Sequence, residues 1–392
     1  MRRILLRIRR RRRRGQTMDF SPVENALREA VDQGVFPGAV VLVAKAEHVM
    51  FEQAFGFRSL IPEKTTLQPS TVFDLASLTK PLATTLAMML LVREGKIRVD
   101  DRVNRFLPTF GVFGKNLTTV QQLLTHTSGL PAWKPYYQEV LNREKAGKIH
   151  FVASRGAKSY VTELVHREKP LQPPGKHCLY SDLGFIVLGE LVETVTGMAL
   201  DRFCLERIYK PLGLRSTGFV DLTQLRTRRV EAVTELIAPT EQCPWRKKIL
   251  CGEVHDDNAY AMGGVAGHAG LFASAQDVHG LLACLSRCLR GEDSFLPRSI
   301  VEKFFTKDES AENSSFALGW DMPSPGRSAS GGLFSPRTVG HLGFTGTSIW
   351  WDLEKNCYII VLTNRVHPTR KNEKIRDFRP HIHDLIMKAM FP

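Results

Sequence analysis

The apolar residues that follow position 20 recur with the spacing of a helix. Ser21 and Glu24 match a capping box, and Pro22 between them suits the first helical position. The pattern therefore predicts a helix of about three to four turns that begins at Ser21. Its apolar face would consist of Val23, Ala26, Leu27, Ala30 and Val31.

Stretches rich in β-branched and aromatic residues predict strands near both ends of the chain. Residues 38–45 and 48–56 form one pair, and residues 347–352 and 357–363 form a hairpin near the C-terminus. Between the pairs, residues 81–91 are apolar on nearly every side, as in a buried helix, and residues 183–196 form an amphipathic helix that stops at Gly197. The two least periodic stretches, 133–169 and 221–257, are expected to form the rims of a cleft.

Composition is compatible with an enzyme that buries a large core. The chain has 392 residues, of which 43% are hydrophobic, and it contains no internal repeat. Its net charge is +14, but nine arginines lie in the first fourteen residues, so the remainder carries +14 − 9 = +5. The tail of residues 1–17 is expected to be disordered. It is either inert, even an artefact of a start that belongs at Met18, or a binder of anionic lipid or nucleic acid.

The sequence also bears on compartment and cofactors. No apolar stretch follows the arginines as in a secretion signal, and none is long enough to span a bilayer. Seven cysteines without paired spacing fit reduced thiols, so a cytoplasmic location is expected. His255-Asp256-Asp257 lacks a second metal-ligand motif and is interpreted as a loop. No metal and no cofactor are expected, and the oligomeric state is left open.

Ser77 and Lys80 lie three residues apart where the buried helix begins. Residues with this spacing share a helix face, so Lys80 would lie beside Ser77 and could accept its proton. Pro81 is tolerated only in a first turn, which places Ser77 at the positive end of the helix, where an alkoxide and an oxyanion are favoured. The spacing indicates a serine nucleophile. The alternative is a helix-start serine followed by a solvated lysine.

Two further motifs suggest the same chemistry. Tyr180-Ser181-Asp182 directly precedes the amphipathic helix, and Tyr180 could relay protons if Lys80 lowers its pKa. The alternative makes Tyr180 a packed aromatic residue and Asp182 the N-cap of the helix. His341-Leu342-Gly343 opens the C-terminal hairpin. Gly343 would let a substrate backbone approach, and the amide of Phe344 would donate to an oxyanion.

Together these motifs resemble the serine β-lactamase and penicillin-binding-protein superfamily, most closely its class C-like branch of esterases, D-peptidases and β-lactamases. The family motifs are Ser-x-x-Lys, Tyr-x-Asn and Lys-Thr-Gly or His-x-Gly, and they occur here in the same order. Residues 123–130 and 263–272 also resemble family segments, so the resemblance covers roughly residues 20–390. By contrast, His126 and His268 within those segments are interpreted as hydrogen-bonded structural residues.

The resemblance implies an α+β fold, in which an antiparallel sheet is flanked by N- and C-terminal helices and a mostly helical region is inserted. Residues 18–390 would form this domain, with the sheet part at about 18–75 and 260–390 and the helical part at about 76–259. It also implies a small-molecule ester, amide or β-lactam substrate that is cleaved through an acyl-enzyme. The implied catalytic residues are Ser77, Lys80, Tyr180 and His341, and the implied substrate contacts are Asp182, Gly343 and Phe344.

Two departures from the family pattern bear on the substrate. Asp182 stands where the family has an amide donor, and His341 stands where many members have a lysine that meets a carboxylate. Both changes favour a carboxylesterase-like hydrolase. A D-Ala-type carboxypeptidase, a weak β-lactamase and a penicillin-binding protein that acylates without turnover remain as alternatives.

Overall fold

The structure is a computed structural model that describes residues 18–226, 234–312, 314–326 and 328–392. The arginine-rich tail of residues 1–17, and every expectation about it, lies outside the described residues.

The strands within the described residues are short except at the two ends of the chain. In chain order they are β1 (Gly38–Lys45), β2 (His48–Ser59), β3 (Thr65–Thr66), β4 (Phe73–Asp74), β5 (Gly218–Phe219), β6 (Gln242–Cys243), β7 (Lys248–Ile249), β8 (Leu271–Ala273), β9 (Phe316–Ala317), β10 (Trp320–Asp321), β11 (Thr338–Leu342), β12 (Ser348–Asp352) and β13 (Cys357–Thr363).

The helices occupy both ends and most of the middle of the chain. They are α1 (Ser21–Asp32), α2 (Leu86–Arg93), α3 (Val120–Leu124), α4 (Tyr136–Gly147), α5 (Arg155–Arg167), α6 (Asp182–Thr196), α7 (Leu200–Cys204), α8 (Leu222–Arg226), α9 (Asp257–Ala261), α10 (Ala275–Arg290), α11 (Arg298–Phe304) and α12 (Ile375–Met390). Short 3₁₀ turns lie at Ala76–Leu78, Val103–Arg105, Pro108–Gly111 and Thr234–Leu236, and π-helical turns lie at Lys80–Thr85 and Leu205–Tyr209.

An eight-stranded antiparallel sheet joins the two ends of the chain. Its order is β3-β2-β1-β13-β12-β11-β10-β9, and the N-terminal strand β1 pairs with β13 from Ala39 opposite Thr363 to Lys45 opposite Cys357. Strand β1 is central, which explains why it is buried on both faces except at Lys45. The α+β fold with an antiparallel sheet is thus confirmed.

Alternate residues of the central strands face two separate cores. Val41, Val43 and Ile359 pack with α1 and α12 on one face, whereas Val40 and Ile360 pack on the other face with α10 and the helical region. The N- and C-terminal helices therefore cover one side of the sheet, and the inserted helices cover the other. Among the described residues no single helix is long and apolar enough to cross a membrane. One pair, Asp182–Thr196 with Leu200–Tyr209, meets that criterion jointly but is bent by 73°.

One local prediction was wrong, and one stretch is more helical than its pattern indicated. Helix α1 has Phe20 at its N-cap and no side-chain cap, and the backbone N–H of Ser21 donates to Asp19 instead, so no capping box forms. The stretch 133–169, one of the two least periodic in the sequence and expected to form a rim of the cleft, contains α4 and α5 over most of its length. Both helices bury few apolar residues, which weakened their periodic signal.

Candidate active site

The backbone around Ser77 is turned sharply before the helix begins. Ala76 has a positive φ of 47°, and its N–H donates to Oδ1 of Asp74 over 2.8 Å. The other oxygen of Asp74 accepts the N–H of His255 at 2.6 Å. Asp74 is buried and, because burial disfavours its charged form, its pKa is raised. This residue positions the Ser77 turn, although no spacing in the sequence links it to the motifs.

Lys80 lies at the centre of the site and is fully buried. Its ammonium group has three partners: Ser77 Oγ at 3.0 Å, Asp182 Oδ1 at 2.7 Å and the carbonyl of His268 at 3.2 Å. Burial disfavours the ammonium, but the neighbouring Asp182 and Tyr180 outweigh that effect and raise the pKa of Lys80. Because its pKa is raised above the usual value, Lys80 is protonated in the resting protein.

Asp182 and Tyr180 differ in part from what their sequence context predicted. Ser181, not Asp182, is the N-cap of α6, because its side chain accepts the N–H of Gly184. Asp182 is the first helical residue and directs its carboxylate at Lys80. Burial raises the pKa of Tyr180, with Lys80 opposing and Asp182 reinforcing the rise. Lys80 thus acts in the direction that a proton relay requires, but burial outweighs it, so the net pKa of this phenol is raised.

His341 lies at the end of β11, and its ring centroid is 5.9 Å from that of Tyr180. Its Nδ1 lies 2.9 Å from the carbonyl of Leu342, a distance at which Nδ1–H donates, so Nε2 carries the free lone pair of the neutral ring. Nε2 is buried without a partner among the described residues. Burial and the charge of Lys80 lower the pKa of His341 to about 3, so the ring is neutral at physiological pH.

Gly343 has a structural role that its motif did not indicate. A Cβ at this position would lie 2.0 Å from Thr347 Oγ1 and 2.6 Å from the carbonyl oxygen of Leu75. Its missing side chain thus lets the C-terminal hairpin approach the Ser77 segment, and Gly343 also lines a cavity that Ser77 shares.

Phe344 follows this close contact and is 50% exposed. Its ring stacks on His255 with centroids 5.6 Å apart, and the guanidinium of Arg365 lies 4.4 Å from the ring centroid. Arg365 Nε also donates to the Phe344 carbonyl at 2.8 Å. Neither the Ser77 N–H nor the Phe344 N–H has a hydrogen-bond partner within the described part of the chain. Both amides are available to an oxyanion.

Two cavities meet at Ser77, Tyr180 and Phe344, which line both of them. The first has a volume of about 340 Å³. Its further lining residues are Phe316, Asp321, His341, Leu342, Gly343, Arg365, Glu373, Ile375, Arg376 and Arg379. The second has a volume of about 350 Å³. Its further lining residues are Ala76, Ala132, Trp133, Asp182, His255, Asp256, Asp257, His268, Ala269 and Arg370.

The remaining histidines clarify which sequence features belong to the site. His126 is buried and accepts the N–H of Ser181 at 3.1 Å, so it holds the second motif in place. His268 contacts Asp256 at 2.9 Å, and both line the second cavity. The predicted loop at His255-Asp256-Asp257 is correct only up to Asp256, which caps α9. Asp256 lies within the stretch 221–257 that was expected to form a rim of the cleft, whereas His268 was interpreted as structural and only the fold brings it beside Ser77.

Comparisons with known proteins show the family to which this chain belongs. The family model described as Beta-lactamase matches residues 23–382. A Salmonella typhimurium (strain LT2) protein named "Putative D-alanyl-D-alanine carboxypeptidase" is 34% identical over 370 residues, which cover 89% of this chain and 83% of that protein.

Two solved structures are similar in fold. The hydrolase EstCE1, described as having promiscuous acyltransferase activity, is 23% identical with a TM-score of 0.68, over 91% of this chain and 97% of that one. The octameric penicillin-binding protein homologue from Pyrococcus abyssi is 21% identical with a TM-score of 0.69, over 95% of this chain and 77% of that one.

Proposed function

This chain belongs to the beta-lactamase family of serine hydrolases, and from that premise we propose that it is a carboxypeptidase that removes a terminal D-amino acid from a peptide. The observation that carries the proposal is the positive charge in a cavity that Ser77 also lines. Three guanidinium groups line the first cavity, those of Arg365, Arg376 and Arg379. Such a wall suits a substrate whose leaving group bears a carboxylate.

The opposing charge in that cavity is smaller. Glu373 pairs with Arg376 at 3.0 Å. Burial raises the pKa of Asp321 to about 7, so this carboxyl is only partly ionised near neutral pH. The guanidinium groups therefore replace the cation that the neutral His341 does not provide. For this reason the proposal differs from the carboxylesterase that the sequence alone favoured.

The catalytic sequence is acyl transfer in two steps. Ser77 Oγ attacks the scissile carbonyl and forms an acyl-enzyme, while the amides of Ser77 and Phe344 hold the oxyanion. Lys80 takes the Ser77 proton and passes one of its own to Asp182, which lies 2.7 Å away. Tyr180 remains protonated because of its raised pKa, so it donates to the leaving amine. In the second step a water molecule attacks the acyl-enzyme and gives a proton to Tyr180. Asp182 returns a proton through Lys80 to Ser77, which is the leaving group of this step.

The test compares a diacetyl-lysyl-D-alanyl-D-alanine peptide with its C-terminal amide. A charge-assisted hydrogen bond contributes about 1.5–3 kcal/mol, so kcat/KM for the free acid should be about 10- to 100-fold higher. Arg376→Gln should remove much of that preference. Arg298→Gln, which alters an exposed arginine of α11 paired with Glu302, is the matched control and should not. Ser77→Ala should abolish turnover. Equal rates for acid and amide would contradict a carboxylate-binding site.

A carboxylesterase is the second candidate, and the neutral His341 favours it. This candidate predicts that a neutral acyl ester is a better substrate than the peptide acid and that Arg376→Gln leaves its hydrolysis unchanged. Intact-mass spectra after incubation with a penicillin separate both candidates from a protein that acylates without turnover. An adduct on the wild type that persists, and that Ser77→Ala lacks, would indicate that third alternative.

A further inference from the structure

Two cysteines and an aspartate meet at the C-terminal end of α10. Cys284 and Cys288 lie four residues apart on one face of this helix, and both are fully buried. Asp293 follows the helix end, which Gly291 marks with a φ of 76°. One ligand atom from each of the three residues lies within 4.8 Å of the others.

We propose that Cys284, Cys288 and Asp293 bind a zinc ion, with water as the fourth ligand. Tetrahedral Zn–S and Zn–O bonds of about 2.3 and 2.0 Å would place sulfur and oxygen about 3.5 Å apart. Cys284 Sγ lies 3.7 Å from Asp293 Oδ2, so this part of the cluster matches a zinc site with little movement. The Asp293 side chain is 24% exposed, which leaves room for water at the fourth position.

The spacing of Cys284 and Cys288 on the helix favours a shared metal ion over a disulfide bond between them. Side chains four apart on a helix have Cβ atoms about 5–6 Å apart, whereas a disulfide needs about 3.5–4.5 Å. A zinc ion bridges the longer distance because it lies between the two sulfur atoms. Pairs of ligands four apart on a helix are a known arrangement for zinc. Binding would release the two thiol protons, since the metal takes thiolates.

The local charges allow a cation here. The carbonyl end of α10 carries partial negative charge, and Asp293 adds a full one. Arg287 opposes this, because its Nε donates to Asp293 Oδ2 at 3.1 Å. Its side chain is 39% exposed, however, and can turn into solvent when a metal takes that oxygen. A carboxylate has enough lone pairs to keep its other bond, in which Oδ1 accepts the Phe295 N–H.

The site would brace a corner of the helical region, not take part in acyl transfer. Asp293 holds Phe295 through that backbone bond, and the carbonyl of Phe295 accepts from Arg93 of α2 at 2.6 Å. A metal would therefore fasten the end of α10 to the helix that follows Lys80. This inference departs from the sequence-based expectation of no metal, which overlooked the helical spacing of the two cysteines.

The test uses the full chain, reduced and freed of metal with a chelator. Zinc is titrated against a chromophoric chelator, and cadmium is added separately to record its thiolate charge-transfer band. Wild type should bind one equivalent of zinc, show the cadmium band and unfold at a higher temperature with metal. Cys288→Ser should lose the band. Loss of a residue that only supports a metal ligand weakens binding by about 10- to 100-fold. Asp293→Asn removes a ligand itself, so it should weaken zinc binding by more than this.

Cys243→Ser is the matched control, since Cys243 is buried in β6 outside the cluster. It should bind zinc as the wild type does. Asp293→Asn alters a partly exposed residue, so it provides an answer even if Cys288→Ser fails to fold. The proposal is overturned if the reduced wild type binds no zinc or if Asp293→Asn binds it with unchanged affinity. A mass two hydrogens lighter without bound metal would show a disulfide instead and would also overturn it.

Discussion

Replacing Gly343 by alanine is expected to slow acyl transfer about a hundredfold without unfolding the protein. The new Cβ would lie 2.0 Å from Thr347 Oγ1 and 2.6 Å from the Leu75 carbonyl oxygen. The threonine can rotate away if it gives up its 3.2 Å hydrogen bond to the same carbonyl. The carbonyl belongs to the backbone, and ordinary contact at 3.4 Å requires a shift of 3.4 − 2.6 = 0.8 Å.

That shift separates two segments that meet across the active site. Leu75 lies two residues before Ser77, and Phe344 directly follows Gly343, so the nucleophile and the second oxyanion donor move apart. A displacement of about 1 Å costs about 10²-fold in rate, and loss of one oxyanion donor costs about 10²–10³ in kcat. Overpacking costs about 1–3 kcal/mol, less than the about 5–15 kcal/mol by which proteins of this kind are stable.

The assay compares kcat, KM and thermal unfolding of the wild type, Gly343→Ala and Gly218→Ala. Gly218 in β5 is the matched control, because a Cβ there meets nothing within 4 Å. The expected result is a large fall in kcat with little change in KM for Gly343→Ala alone. A folded Gly343→Ala protein with the kcat of the wild type would refute the argument that this close approach sets the oxyanion geometry.

Three other predictions concern charges around the same site. Asp182→Asn should lower the pKa of Lys80 and remove the carboxylate to which Lys80 passes its proton, so kcat should fall about 100-fold; an unchanged kcat would contradict this proton path. His341 has a pKa of about 3 when folded and about 6.5 when unfolded, so the unfolded state binds the extra proton between these values. The free energy of unfolding should therefore fall by about 1.4 kcal/mol per pH unit as the pH drops through that window. Urea unfolding at several pH values should show a smaller dependence of this free energy on pH for His341→Gln than for the wild type. Arg365→Lys keeps the charge but loses the planar group on Phe344, so kcat should fall about tenfold with KM little changed; steady-state kinetics showing an unaltered kcat would contradict this positioning role.

The sequence predicted elements well where one local pattern decided them. Strands β1 and β13 combine β-branched residues with short flanking turns, and the structure places both at the predicted limits. The capping box at Ser21 failed because a matching residue pair does not require the bond, and Asp19 offered another acceptor. Helices α4 and α5 were not predicted because each buries few apolar residues, so the helical spacing of those residues is weak in the sequence.

The sequence by itself determined the nucleophile motif, since the helical spacing of Ser77 and Lys80 brings Lys80 Nζ within 3.0 Å of the serine oxygen. It also determined the order of the motifs and hence the family. Only the tertiary structure decided the charge state around them. Asp182 lies about a hundred residues from Lys80 in the chain and touches it only after folding. Burial, which no spacing encodes, raises the pKa of Tyr180 and lowers that of His341. Charge and solvation depend on neighbours that are distant in sequence, so the direction of proton flow is a property of the fold.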